Sequence, residues 1–141
     1  MTISVQIADG PLGAHRLEPP LQGSGATVVF EGIVRPTENG LPIDGLHYET
    51  YEPMAQRQMH AIAADLMQRF GLLRVGVEHS RGFVPVGERS FRLVILSAHR
   101  REALDAMDEF IDRLKRDVPI WKRASPPAAR QEKPQASAES P

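Results

Sequence analysis

Two lysines, Lys115 and Lys122, bracket the segment Val118-Pro119-Ile120-Trp121 in a chain that carries most of its positive charge on arginine: of 17 Lys and Arg residues only three are lysine. An amine that is desolvated or set beside other cations can shed its proton and act as a base or nucleophile, whereas a guanidinium stays charged. Proline disfavours helical geometry at Val118 and brings no amide hydrogen, so a helix arriving from the N-terminal side stops there. Lys115 is therefore expected on a last helical turn and Lys122 on a short extended segment beyond it. Two readings stand. The amines converge on one pocket, where each disfavours the other's charge, or both are solvated cations near the negative end of a helix.

A second basic group, Ser97-Ala98-His99-Arg100-Arg101, joins the apolar run Phe91 to Leu96 to the start of that same helix. Cations are unfavourable beside the positive end of a helix dipole unless an anion shares the place, held by amides, guanidinium and imidazole together. The alternative is a turn of solvated side chains. Arg35 closes the strand-like run from Ala26 to Val34, in which Gly32 suggests a bulge or a close backbone approach that re-aims the strand end. It is either a ligand contact or an ordinary edge arginine. Phe30, in the same run, is placed to wall a pocket for a flat ring or to fill the core.

The elements that position these groups follow from periodicity. Alternating and β-branched runs predict strands near 2–7, 26–35, 43–51, 73–79 and 89–97, bounded by Gly, Pro or Asn-Gly. A first helix is expected from Pro53 to Gly71, with Ala55, Met59, Ile62, Leu66 and Phe70 on one face. A second runs from about Arg100 to Asp117, with Ala103, Met107, Phe110 and Leu114 inward. A short helix over 11–17 is a further expectation. Interleaved strands and helices make the fold class α/β or α+β with a mixed sheet. At 141 residues and 41% hydrophobic content the chain supports one core, and a single domain over 1–123 is expected. Residues 124–141 contain four Pro, five Ala and three Ser and no large apolar side chain, which predicts a flexible tail.

Several function classes drop out. With no cysteine there is no disulfide, thiolate metal site or cysteine nucleophile. The five histidines lack ligand spacing, and nothing points to a metal or a resident cofactor. His79 falls on the apolar side of its strand with Val75 and Val77, as a core histidine would. Gly23-Ser24-Gly25 lacks the third glycine of a dinucleotide fingerprint and reads as a turn. No apolar run approaches the length of a membrane span and no export signal opens the chain, so no membrane contact and a cytoplasmic location are expected. The net charge of −1 argues against nucleic acid as a partner.

Taken in order, Phe30-Glu31-Gly32-Ile33-Val34-Arg35, Tyr48-Glu49-Thr50-Tyr51-Glu52-Pro53-Met54-Ala55, Ser97-Ala98-His99-Arg100 and Leu114-Lys115-Arg116-Asp117-Val118-Pro119-Ile120-Trp121-Lys122 resemble the large, catalytic subunits of molybdopterin synthases. The likeness implies an α/β hammerhead fold, a homodimer of large subunits, and a small ubiquitin-like sulfur carrier docked on each to make a heterotetramer. It implies sulfurtransferase chemistry in molybdenum cofactor biosynthesis. The carrier's C-terminal Gly-Gly thiocarboxylate would deliver two sulfurs in turn to cyclic pyranopterin monophosphate, a pterin, forming the molybdopterin dithiolene. By position, Lys115 resembles the principal catalytic lysine and Lys122 its companion. Arg35, His99 and Arg100 resemble the anion- and pterin-binding residues, His99 and Arg100 being donated across the dimer, with Phe30 and Arg101 beside them. A sulfur-transfer enzyme with no thiol of its own must receive its sulfur from a carrier, as the resemblance implies. The loop Pro36-Thr37-Glu38-Asn39-Gly40 departs from the family, which usually has an acidic or Asn residue followed by His. A non-catalytic module binding an anionic metabolite or protein through the same basic pocket is the alternative.

Overall fold

The computed structural model describes residues 2–16 and 18–128 of the chain. Strand β1 (Thr2–Asp9) lies parallel to β6 (Arg74–Pro85), while β2 (Ala26–Ile33) and β6 both pair antiparallel with β7 (Arg89–Ser97). The far end of β6 pairs with β5 (Gly45–Thr50), which pairs in turn with β8 (Ile120–Ser125). One mixed, six-stranded sheet results, in the order β2-β7-β6-β5-β8 with β1 also on β6. Two-residue strands β3 (Thr37–Glu38) and β4 (Leu41–Pro42) form a separate hairpin.

Helices α1 (Met54–Phe70) and α2 (Arg100–Asp117) pack on one face of the sheet. Ala55, Met59, Ile62 and Leu66 of α1 and Ala103, Met107 and Phe110 of α2 are buried against Val75, Val77, Phe91, Leu93 and Ile95. The inward positions are those spaced at the helical period, while the strand contributors alternate along β6 and β7, as a half-buried sheet requires. Phe70 and Leu114 close the stripes at their ends and are only partly buried. Gly71, at φ 66°, terminates α1 in the left-handed conformation that a β-carbon disfavours. A smaller apolar cluster of Val34, Ile43, Leu46 and Val84 lies apart from the main core.

Three expectations are corrected. Residues 11–16 form no helix: the Leu12 amide donates to the Arg89 carbonyl, and Leu12 is buried. Backbone pairing to β7, together with an Arg92 guanidinium donating to the Gly13 carbonyl, outweighs the weak local propensity of so short a segment. Leu17, the last residue of that expected helix, lies outside the described residues. Strand β6 runs on to Pro85 rather than ending at His79, because Gly82, at φ 83°, lets the chain bend where its partner changes from β1 to β5. Strand β8 extends through Ser125, whose carbonyl accepts from the Asp44 amide, so the paired region passes residue 123 by two positions. Of the expected tail, 129–141 lies outside the described residues. Among the described residues no helix is long and apolar enough to cross a membrane.

Candidate functional site

Pro119 works as its covalent structure dictates. Helix α2 ends with an extended Val118, whose amide still donates to the Leu114 carbonyl, and the chain turns into β8. The Pro119 carbonyl accepts from the Tyr51 amide, and Tyr48 then stands opposite Lys122 in the ladder. Pairing to β5 thus brings Lys122 back beside the helix end that carries Lys115. Both lysines line a single cavity of about 500 Å³.

Arg35 and Phe30 line the same cavity. The expected irregularity in β2 is present, as a register shift between Gly32 and Ile33 that breaks the alternation just before Arg35. Val34 is pinned there, its amide donating to the Glu88 carbonyl and its carbonyl accepting from the Gly87 amide. Phe30 is neither wholly core nor free: its ring tilts against Phe91 with centroids 6.1 Å apart, and it remains 38% exposed.

Three further residues that the sequence does not mark as site residues, Tyr48, His79 and Trp121, line the cavity as well. Tyr48 meets His79 edge-on at 5.2 Å between centroids, and its hydroxyl donates to Ser90 Oγ at 3.0 Å. His79 is buried, as expected of a core histidine, yet it also borders the cavity. Burial pushes its imidazole below the ordinary value, against the opposing pull of a hydrogen bond to the Ser80 carbonyl. That carbonyl, 2.7 Å from Nδ1, can only accept, so Nδ1 holds the proton and Nε2 is the bare nitrogen of the neutral ring. Trp121, 58% exposed, lines the cavity as well. Among the described lining residues Glu38 is the one carboxylate, opposed to the cations of Arg35, Lys115 and Lys122. The Asn39-Gly40 pair was its available signal: both residues adopt positive φ, 52° and 79°, as a tight hairpin turn demands.

His99, Arg100 and Arg101 are not in this cavity. With Gly25 and Ala98 they line a second hollow of about 450 Å³ at the opposite end of α2. His99 caps the helix in an extended conformation without a side-chain hydrogen bond to the first-turn amides, and Ser97 Oγ donates instead to the His99 carbonyl. The positive end of the helix dipole thus coincides with two guanidinium groups and an imidazole, an arrangement suited to an anion. Chemically, the first cavity offers two amines, a guanidinium and an aromatic wall, and the second a cationic cradle.

A family model described as MoaE protein matches residues 11–117. Similar proteins include the molybdopterin synthase catalytic subunit of Dictyostelium discoideum, 42% identical over 102 residues that make up 71% of this chain and 65% of that protein. The molybdopterin synthase catalytic subunit of Homo sapiens is 39% identical over 99 residues, 70% of this chain and 53% of that protein. The chain spans about half to two thirds of the length of such relatives. Among solved structures, molybdopterin synthase from Staphylococcus aureus superposes with a TM-score of 0.78 at 29% identity, covering 86% of this chain and 90% of that one. A complex of subunits 1 and 2 of molybdopterin-converting factor from Helicobacter pylori 26695 gives a TM-score of 0.67 at 27% identity, covering 85% and 83%.

Proposed function

Because this chain belongs to the MoaE protein family, we propose that it is the catalytic subunit of a molybdopterin synthase and acts as a sulfurtransferase. In this reading it transfers two sulfurs from the C-terminal Gly-Gly thiocarboxylate of a small carrier subunit to cyclic pyranopterin monophosphate. The observation that carries the proposal is the convergence of Lys115 and Lys122 on one cavity with Arg35 and Phe30.

Each residue then has a physical task. Lys115, on the helix end, is the reacting amine, serving in proton transfer or holding the acyl group left when sulfur departs. Lys122 meets the carrier's terminal carboxyl group. Arg35 contributes a planar fork suited to a phosphate or carboxylate, and Phe30 a flat face for the pterin. The carrier's last residues are glycines, whose lack of side chains allows a chain end to enter a cavity of this size.

The second cationic hollow fits the same account if the active unit is a homodimer of large subunits, a second copy supplying His99 and Arg100, with Arg101 as a lesser contact. The anion held there would be the substrate's phosphate. A cytoplasmic location belongs to this reading too. Reconstitution with thiocarboxylated carrier and cyclic pyranopterin monophosphate tests it: dithiolene product is expected, and binding of substrate without any product would mark the chain as a non-catalytic binding module.

A further inference from the structure

Lys122 does not stand free in its cavity. Its Nζ lies 3.1 Å from Glu38 Oε2, in a pair whose carboxylate side chain is 21% exposed and whose ammonium side chain is 50% exposed. Arg35 and Lys115, the other two cations of the cavity, have no ion-pair partner among the described residues. An ionic contact made selectively to one of three neighbouring cations calls for a cause, and the cause lies in the hairpin. Glu38 is held on β3 by pairing to Leu41, by the tight turn at Asn39-Gly40, and by the Ile43 amide donating to the Pro36 carbonyl at 3.0 Å. Val34 and Ile43, flanking this hairpin, are buried in the smaller apolar cluster. The carboxylate is thus presented to the cavity by an anchored backbone.

We propose that Glu38 is a positioning residue, an exchangeable counter-ion that holds the Lys122 ammonium until a chain-terminal carboxylate takes its place. The inference rests on the proposed function, in which Lys122 meets the carrier's C-terminus. Two consequences follow from charge alone. An entering anion must displace Glu38 from Lys122 and lie beside a like charge, so Glu38 weakens its binding. Once sulfur has left and a plain carboxylate remains on the carrier, the same competition favours release, because Glu38 can reclaim the ammonium. Glu38 therefore acts through Lys122 and need not touch the reacting atoms.

The probe is a synthetic peptide ending in Gly-Gly, prepared with a free C-terminal carboxylate and with a C-terminal amide, titrated calorimetrically against the full chain. Glu38→Gln is expected to tighten binding of the carboxylate form about five-fold and to leave the amide form unchanged. Glu38→Asp, which keeps the charge, should stay near wild type, and adding Lys122→Gln should cancel the gain. A merely structural effect of Glu38 would alter both peptides together, and that result overturns the inference, as does unchanged affinity for the carboxylate form. Binding of neither peptide by any form of the protein would instead overturn the reading that a carrier C-terminus enters this cavity. Thermal melting of each variant near the wild-type midpoint accompanies the titrations, so that misfolding is not taken for loss of competition.

Discussion

Arg100 and Lys115 stand at opposite ends of one helix, α2, so about 22 Å separates their backbones along its axis at 1.5 Å per residue. No rotamer closes that gap within a single chain. If both groups serve one reaction, they do so from different copies, the Arg100 of one facing the Lys115 of the other. Lys115→Ala and Arg100→Ala proteins should each be inactive alone, yet recover about a quarter of wild-type activity when mixed and allowed to exchange subunits, since half the dimers then hold one intact site. A mixture as inactive as its components would place the complete site within one chain.

The hollow containing Arg100 depends on a close backbone approach. A β-carbon on Gly25 would stand 2.2 Å from the Ala98 carbonyl oxygen, and the Gly25 amide already donates to the Ser97 carbonyl at 2.9 Å. The obstructing atoms are Ala98 backbone rather than the end of a flexible side chain, so nothing there yields cheaply. Gly25→Ala should cost about 2–3 kcal/mol of stability and shift the turn that carries His99. Chemical denaturation measures the first effect, and loss of anion binding with the Lys115 cavity intact would report the second.

Acid stability should depend on Glu52. Arg81 above all, then Thr50 and Gln56, hydrogen-bond its carboxylate and hold its pKa down at about 2, below the ordinary 4.5. A carboxyl group depressed in the folded state contributes stability above its unfolded value, and that contribution is lost as pH falls from about 4.5 towards 2. Solvent access makes the contribution modest, about 1 kcal/mol. Glu52→Gln should therefore be less stable than wild type at pH 7, and the difference should shrink across that acid window. Urea unfolding at a series of pH values measures it.

The helices were legible because local signals agreed: Ala55, Met59, Ile62 and Leu66 recur at the helical period, and Pro53, Gly71 and Pro119 punctuate. Both lysines could be assigned to elements for the same reason. Their convergence could not, because it depends on β8 returning to pair with β5, a contact across some seventy residues that no local pattern encodes. The placing of Glu38 in the cavity is hidden from the sequence for a related reason. Strands of two residues carry no periodicity, and only the Asn39-Gly40 turn marked them. Alternation along β6 reads His79 as core, and it is buried, yet it also borders the cavity, a distinction that alternation does not draw.

Lys122 and Lys115 should differ in how they fail. Lys122→Ala removes a group assigned to holding the carrier's terminus, so it should raise the KM for carrier by about ten-fold or more while leaving part of kcat. Steady-state rates against carrier concentration separate the two constants. A loss confined to kcat would move Lys122 from binding to the reacting atoms.

Participation of the Lys115 amine in the reaction is read out by Lys115→Arg, which keeps a cation at the end of α2 while removing an amine able to exchange its proton or bond to carbon. The rate of dithiolene formation is measured with thiocarboxylated carrier and cyclic pyranopterin monophosphate both saturating. A fall of about 100-fold or more is expected, the scale of a lost general acid–base or nucleophilic group, with the fold and carrier binding retained. Turnover within about two-fold of wild type, well under the effect expected of such a group, would contradict it.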